Sequence, residues 1–135
     1  MLDADASDLV GVEASLGVTV TADMTAPAMG SGDVPVLATP IVIALIERAA
    51  VKAVQPRLDP ALTTIGVSVE VNHVGATPVG ARVRARAQVD YVENRRLTFV
   101  VHVFDKAGEV AEGTHVRMIV DRERFLASAA KRHGR

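Results

Sequence analysis

The sequence of 135 residues contains no cysteine and no tryptophan. Without cysteine the chain has no disulfide, no thiolate metal site and no cysteine nucleophile. Any covalent chemistry therefore requires a hydroxyl, a carboxylate, an imidazole or an amine. Aromatic residues make up only 3% of the chain, so the core must be built from aliphatic side chains. The absence of cysteine also agrees with a reducing cytoplasm, where we expect the protein to reside.

A strong net charge and a long apolar run are absent as well. The formal net charge is −1, whereas nucleic-acid-binding proteins usually carry a basic stripe with aromatic side chains for stacking. The longest apolar stretch, residues 36–46, is too short to span a bilayer. The acidic N-terminal segment lacks the basic and then apolar order of a signal peptide. We therefore expect a soluble protein with neither a nucleic-acid nor a membrane partner.

Motifs for metals and nucleotide cofactors are also missing. The chain has no glycine-rich dinucleotide or phosphate loop, no serine-hydrolase elbow and no zinc-protease motif. Its histidines do not have the spacing of a metal site; they are His73, His102, His115 and His133. We expect no metal and no bound cofactor.

One segment predicts a long helix. Thr39 is suited to the N-cap, Pro40 to the first turn, and Pro56 to ending the helix after residue 55. The segment is largely apolar, and its polar side chains Arg48, Lys52 and Gln55 form one stripe. A helix this apolar on its other faces must be covered by other elements.

The other segments predict strands, within a single domain covering residues 1–135. Residues 12–24 alternate in polarity and predict a first strand, followed by a loop over 25–35. After the helix, alternation at 64–73, 81–91 and 109–121, and a stretch at 96–104 that is apolar on both faces, predict four strands joined by short hairpins. Residues 122–133 predict a short basic helix. Short connections require antiparallel pairing. The order predicts an α+β fold of the hotdog type, an antiparallel sheet wrapped round one helix, with a free edge that favours a homodimer.

Three residues on or near the helix are candidates for chemistry. Glu47 has no basic residue three or four positions away along the helix. His73 continues the odd-numbered face of a strand that we expect to point at the helix. The Thr39 hydroxyl lies at the positive end of the helix dipole, where negative charge is stabilised. Each also has a structural explanation: a boundary glutamate pairing with a strand arginine, a hydrogen-bonded core histidine and an N-cap.

Gly66 and the last strand supply further candidates. Gly66 interrupts a β-branched strand and predicts either a bulge or a close approach of another group. In the last strand, Gly113, His115 and Arg117 share the face opposite Val116, Met118 and Val120. We expect His115 and Arg117 at the surface, although an arginine beside a cleft suits a phosphate or carboxylate. The alternating arginines at 82, 84 and 86 are expected to be solvated.

Four segments together resemble the hotdog-fold acyl-CoA thioesterases of the fluoroacetyl-CoA thioesterase type. They are ATPIVIALIERAAVKAVQPRLDP (38–60), IGVSVEVNHVGATPVG (65–80), ENRRLTF (93–99) and EGTHVR (112–117). The resemblance implies a catalytic set of Thr39, Glu47 and His73, with Gly66 beside the acyl group. It also implies an acyl-CoA substrate, with CoA as part of the substrate, and a homodimer with its active sites at the subunit interface.

The chain departs from that family pattern in two places. No aromatic residue precedes Tyr91, so the aromatic lid of the fluoroacetate enzyme is missing and we expect a more open entrance. Pro40 replaces a glycine, so a backbone donor to the substrate would have to be Ile41 or Val42. The expected reaction is thioester hydrolysis. A non-catalytic hotdog module that binds an acyl ligand is the alternative, and a hydratase is disfavoured because residues 34–58 contain no aspartate.

Overall fold

Five strands form one antiparallel sheet against a long helix in the computed structural model, which describes residues 6–135. The strands are β1 (Glu13–Thr19), β2 (Leu62–His73), β3 (Arg82–Glu93), β4 (Arg96–Asp105) and β5 (Gly108–Asp121). The helices are α1 (Ala26–Met29), α2 (Thr39–Val54) and α3 (Arg122–Arg132), with 3₁₀ turns at Ala6–Leu9, Ala22–Met24 and Gln55–Arg57. The strand order β1-β3-β4-β5-β2 confirms the predicted α+β hotdog architecture.

Helix α2 begins differently from the prediction. Its N-cap is Ala38, whose carbonyl accepts the Ile41 and Val42 N–H groups at 3.0 and 3.1 Å. Thr39 is the first helical residue and makes no capping bond, so its predicted N-cap role is wrong. The physical reason is that the Thr39 hydroxyl bonds to His73 instead. The helix ends at Val54, and the 3₁₀ turn that follows contains Pro56, as the proline predicts.

The core lies between α2 and the inner face of the sheet, and it is aliphatic as predicted. Helix α2 buries one side, consisting of Val42, Leu45, Ile46, Ala49, Ala50, Ala53 and Val54. Phe99 on β4 is fully buried, whereas the other aromatic side chains are exposed at Tyr91, Phe104 and Phe125. The predicted polar residues Arg48 and Lys52 are exposed, as are the three alternating arginines of β3.

A bulge in β2 changes which of its residues face the helix. The pairing with β5 shifts between Gly66 and Ser68, which leaves Val67 without a partner in β5. Directly opposite residues of an antiparallel pair share a face, and Gly66 lies opposite Arg117 while Val69 lies opposite His115. Even-numbered residues therefore face inwards before the bulge and odd-numbered residues after it. Val67, predicted to face the helix, is instead 45% exposed.

The connection from β2 to β3 is not the predicted hairpin. Strand β2 lies at the sheet edge beside β5, whereas β3 lies between β1 and β4. The connecting segment, residues 74–81, is anchored by the buried Thr77, whose hydroxyl donates to Asp105 Oδ2 at 2.8 Å. This bond holds the connecting segment in place, although the segment does not join β2 and β3 as a hairpin.

The segments around β1 are shorter than predicted. The strand expected over residues 12–24 ends at Thr19, and the predicted loop over 25–35 contains α1. The interpretation of the acidic N-terminal segment falls partly on residues 1–5, which lie outside the described residues. No helix in residues 6–135 is long and apolar enough to cross a membrane.

Candidate active site

The Thr39 side chain is bonded to His73. Thr39 Oγ1 lies 2.8 Å from His73 Nδ1, which joins the first residue of α2 to the last residue of β2. His73 Nε2 is buried and has no hydrogen-bond partner within residues 6–135. A buried polar atom without a partner costs roughly 1–3 kcal/mol. This ring nitrogen therefore suits a group from outside the described part of the chain.

Two turns further along α2, Glu47 forms an ion pair with Arg117 on β5. Glu47 Oε2 lies 3.2 Å from Arg117 Nη1, and the two side chains are 42% and 7% exposed. Arg117 donates from Nε to Thr64 Oγ1 at 2.8 Å and from Nη2 to Thr64 O at 3.0 Å. The strand arginine that the sequence predicts as a possible partner of Glu47 is thus Arg117. The bonds from Arg117 to Thr64 hold the guanidinium in place.

His115 lies behind Arg117 and is completely buried. Its Nδ1 lies 2.8 Å from Ser68 O, and its Nε2 lies 3.2 Å from Arg117 Nη1. The imidazole stacks on Phe99 with ring centroids 5.9 Å apart. Burial lowers the pKa of His115, and the bond to the Ser68 carbonyl offsets only part of that shift. The ring is therefore neutral near pH 7.

The predicted surface positions of His115 and Arg117 are wrong. Both lie on the inner face of β5, opposite Phe99 and Leu97 of β4, which are fully buried. Burial lowers the pKa of Arg117 and the nearby Glu47 carboxylate raises it, but a guanidinium stays charged in either case. The buried polar groups are tolerated because each has hydrogen-bond partners.

The sequence predicts either a bulge or a close approach of another group at Gly66, and the structure has both. The bulge begins beside it, and a Cβ atom built on it would lie 2.5 Å from Glu47 Oε2 and 3.4 Å from Arg117 Nη1. Real Cβ atoms do not come as close to another group as the first of these distances. The missing side chain therefore makes room for the Glu47 carboxylate.

The predicted site residues form two separate groups in one chain. Thr39 and His73 make one group, and Glu47, Gly66 and Arg117 make the other. Eight residues of helix separate Thr39 from Glu47, about 12 Å at 1.5 Å per residue. Gly66 and His73 are separated by roughly 20 Å of strand. Within a single chain, the two groups are therefore too far apart to contact the same bond of a substrate.

An open cleft of about 530 Å³ lies next to the Glu47 group. It is lined by Leu16, Glu47, Arg48, Val51, Lys52 and Arg117. The Lys52 ammonium donates to Ser15 O at 2.8 Å. Glu47 is the single acidic side chain among these lining residues and is paired with Arg117, so Arg48 and Lys52 give the cleft a surplus of positive charge.

The remaining expectations concern backbone donors and metals. The Ile41 N–H already donates to Ala38 O, so a substrate oxygen would have to share it, and its binding role stays a prediction. Within residues 6–135, no cluster of three or more histidine or acidic residues could hold a metal ion.

Thr64 and Ser68, the partners of Arg117 and His115, belong to no motif in the sequence. The signal that could have found them is Gly66. A bulge at this glycine reverses the inward face of β2 and brings Thr64 to the inside.

Comparison with known proteins identifies the family. The family model described as "Fluoroacetyl-CoA-specific thioesterase" matches residues 20–123. A fluoroacetyl-CoA thioesterase of Streptantibioticus cattleyicolor is 36% identical over 97 residues, which cover 72% of this chain and 70% of that protein.

Solved structures give the same result. The fluoroacetyl-CoA thioesterase FlK is 30% identical with a TM-score of 0.84, covering 90% of this chain and 95% of that one. A Thermus thermophilus protein described as a thioesterase superfamily member is 28% identical with a TM-score of 0.85, covering 93% of each chain. The chain therefore belongs to the fluoroacetyl-CoA-specific thioesterase family.

Proposed function

We propose that this protein hydrolyses the thioester of an acyl-CoA to a free acid and CoA, in active sites that two copies of the chain form together. The observation that carries the proposal is the separation of Thr39 and His73 from Glu47 within one chain. Family membership supports the reaction. A mutant of the fluoroacetyl-CoA-specific thioesterase, 31% identical with a TM-score of 0.81 over 86% of this chain and 98% of that one, was solved with fluoroacetate and CoA.

The free edge of β2 supports assembly into a dimer. This strand of 12 residues ends the sheet, so its outer edge is unpaired within residues 6–135. A long edge strand with an unpaired row of backbone N–H and C=O groups favours pairing with a second copy. A twofold axis makes such pairing reciprocal, so two equivalent active sites result.

The bulge allows a register in a β2–β2 pairing that would join the two groups. With Val67 outside the ladder, the residues from Gly66 to His73 occupy consecutive positions centred on Glu70. If two β2 strands pair antiparallel about that centre, Gly66 lies opposite the partner subunit's His73. Both residues belong to the inner face of the sheet. Glu47, beside Gly66, would then meet the partner subunit's Thr39 and its hydrogen-bonded histidine.

The uncovered side of α2 points to the same interface. Ile43 is half-buried and Ala44 is exposed, although both are apolar. They lie one turn before Glu47 on the same side of the helix. A second copy of the chain pairing along β2 would cover this side and remove apolar surface from water.

The chemistry of the joined groups suits acyl transfer to water. The Thr39 hydroxyl would bind the thioester carbonyl oxygen and stabilise its negative charge in the transition state. Glu47 would take a proton from water as the resulting hydroxide adds to the carbonyl carbon, or would attack that carbon itself and form an anhydride that water then cleaves. In both routes the carbon–sulfur bond breaks and water is the proton source. Its proton passes through Glu47 and His73 to the CoA thiolate, directly in the first route and once the anhydride is cleaved in the second. The reaction needs no cofactor besides the CoA of the substrate.

The charge of the cleft supports a CoA substrate, and the composition of residues 25–38 supports a broad choice of acyl group. Arg48 and Lys52 place positive charge beside Glu47, where the phosphates of CoA would be attracted. Residues 25–38 contain no aromatic side chain. This segment therefore cannot supply an aromatic lid over the substrate, and we infer that acyl groups larger than fluoroacetyl are hydrolysed.

Thiol release from a panel of acyl-CoAs tests the reaction. The wild-type protein should release CoA, and Glu47→Ala and His73→Ala should each abolish most of that activity. Binding of acyl-CoA without release by the wild type would contradict hydrolysis and support the non-catalytic module. Unchanged activity in both variants would contradict the assignment of these residues.

Mixing the two inactive variants tests the composite site. A dimer of one Glu47→Ala chain and one His73→Ala chain has one doubly substituted site and one intact site. Random exchange of equal amounts should therefore restore roughly a quarter of the wild-type activity. A mixture that stays inactive after verified subunit exchange would contradict a site shared between chains.

A further inference from the structure

We propose that His115 is a positioning residue for this reaction, holding the Arg117 guanidinium against Glu47 through the lone pair of its neutral imidazole. The inference rests on the proposed role of Glu47 in hydrolysis. It assigns a function to a buried histidine that touches neither the cleft nor the Thr39–His73 pair.

The partners of His115 determine which of its nitrogens carries the proton. A backbone carbonyl can only accept a hydrogen bond and a guanidinium can only donate one. Ser68 O lies 2.8 Å from Nδ1, so Nδ1 carries the hydrogen. Arg117 Nη1 lies 3.2 Å from Nε2, so Nε2 presents its lone pair. The surroundings thus select the neutral ring with its proton on Nδ1.

This lone pair is one of four acceptors around Arg117. Thr64 accepts from Nε and Nη2, and the two hydrogens of Nη1 are directed to Glu47 Oε2 and His115 Nε2, each at 3.2 Å. Because the guanidinium is planar, its bonds to Thr64 and His115 fix its plane and the direction of the second Nη1 hydrogen. That hydrogen is the one donated to the candidate catalytic carboxylate.

A proton on Nε2 would reverse this contact. It would set one N–H against another at 3.2 Å, and with Nδ1 also protonated it would place two cations together in a buried position. The groups facing the ring are Arg117 on its own strand, the Ser68 carbonyl on β2, the uncharged Phe99 on β4 and Glu47 on α2. Burial lowers the pKa of His115 from its ordinary 6.5, so the neutral form persists into mildly acidic solution.

Substitutions that keep or remove the acceptor test the proposal. His115→Phe keeps a ring of similar size but offers Arg117 no acceptor, and we expect kcat to fall by up to roughly 10²-fold with KM changed less than threefold. His115→Gln can still accept from Arg117 and should recover at least a tenth of the wild-type kcat. His102→Phe is the matched control, because His102 is also on the sheet and stacked on a phenylalanine but is more than a third exposed. It should behave as wild type.

Nitrogen NMR of the imidazoles separates this proposal from the proposed function. In the wild type at pH 7, His115 should show a protonated Nδ1 and an unprotonated Nε2, whether or not any acyl-CoA is hydrolysed. The opposite tautomer or a charged ring would overturn the proposal, as would a folded His115→Phe protein with wild-type kcat. If His115→Phe does not fold, the test rests on His115→Gln and on the tautomer. A kcat of His115→Gln near that of wild type, together with the expected tautomer, supports the proposal. Loss of more than 90% of kcat in folded His115→Gln overturns it.

Discussion

A side chain at Gly66 excludes the Glu47 carboxylate from its present position, because a Cβ atom on Gly66 would lie 2.5 Å from Glu47 Oε2. Gly66→Ala should therefore push Glu47 away from Arg117. We expect a loss of roughly 10²-fold in kcat/KM with a small change in stability, since Glu47 is partly solvated and can move.

The matched control is Gly32→Ala. A Cβ atom at Gly32 would meet only the Ala26 Cβ at 3.4 Å, an ordinary contact. Thiol-release kinetics and thermal unfolding of both variants make the comparison. Wild-type kinetics in Gly66→Ala would contradict the role of the Glu47 position.

Thr64→Val should destabilise the protein. It keeps the shape of the side chain but removes the acceptor of Arg117 Nε, a buried donor. An unsatisfied buried group costs about 1–3 kcal/mol, so we expect the free energy of unfolding to fall by that amount. Urea unfolding measures it. Thr114→Val, at an exposed position of β5, should change the stability by less than about 0.5 kcal/mol.

The pKa of His115 predicts how stability depends on pH. Its pKa is lower in the folded protein than its ordinary 6.5, so below that pH the unfolded chain binds a proton that the folded chain does not. This contribution to stability is complete above pH 6.5 and is lost as the pH falls towards the folded pKa. Urea unfolding at several pH values should show a steeper decline below neutrality for the wild type than for His115→Gln. Parallel curves for the two proteins would contradict the prediction.

Arg48→Ala should weaken binding of acyl-CoA through lost attraction to phosphate. An exposed ion pair contributes about 0.2–1 kcal/mol, so KM should rise by up to roughly fivefold at low ionic strength and less in high salt. An acyl-pantetheine, which lacks the nucleotide and its phosphates, should show no change. Arg57→Ala, beyond the far end of α2, is the control with an equal change in charge. Equal effects on both substrates would place the CoA phosphates elsewhere.

The sequence predicts the elements of this fold well where a pattern is local. Proline and apolar spacing mark α2, and alternation marks the strands. The hairpin expected between β2 and β3 fails because 8 residues can also cross the end of the sheet when Thr77 and Asp105 anchor them.

The faces of β5 could not be predicted because two of its inner residues, His115 and Arg117, are polar. His115 and Arg117 find acceptors on β2, and Thr64 is 53 residues away from Arg117 along the chain. No local pattern reports a contact at that separation. Thr39 failed as an N-cap for a similar reason, since its hydroxyl bonds to His73 at a separation of 34 residues.

The unpaired Val67 is a residue that the β2–β5 ladder does not require. Removing it would make Gly66 and Ser68 neighbours that already lie opposite Arg117 and Val116, so Gly66 and His73 would both stay on the inner face. Inserting a residue into the ladder between Gly66 and His73 would instead turn one of these two residues to the outer face, because successive strand residues alternate in direction. Among related chains, insertions that extend this ladder are therefore expected to separate active hydrolases from proteins that keep only the fold, whereas loss of the bulge residue is not.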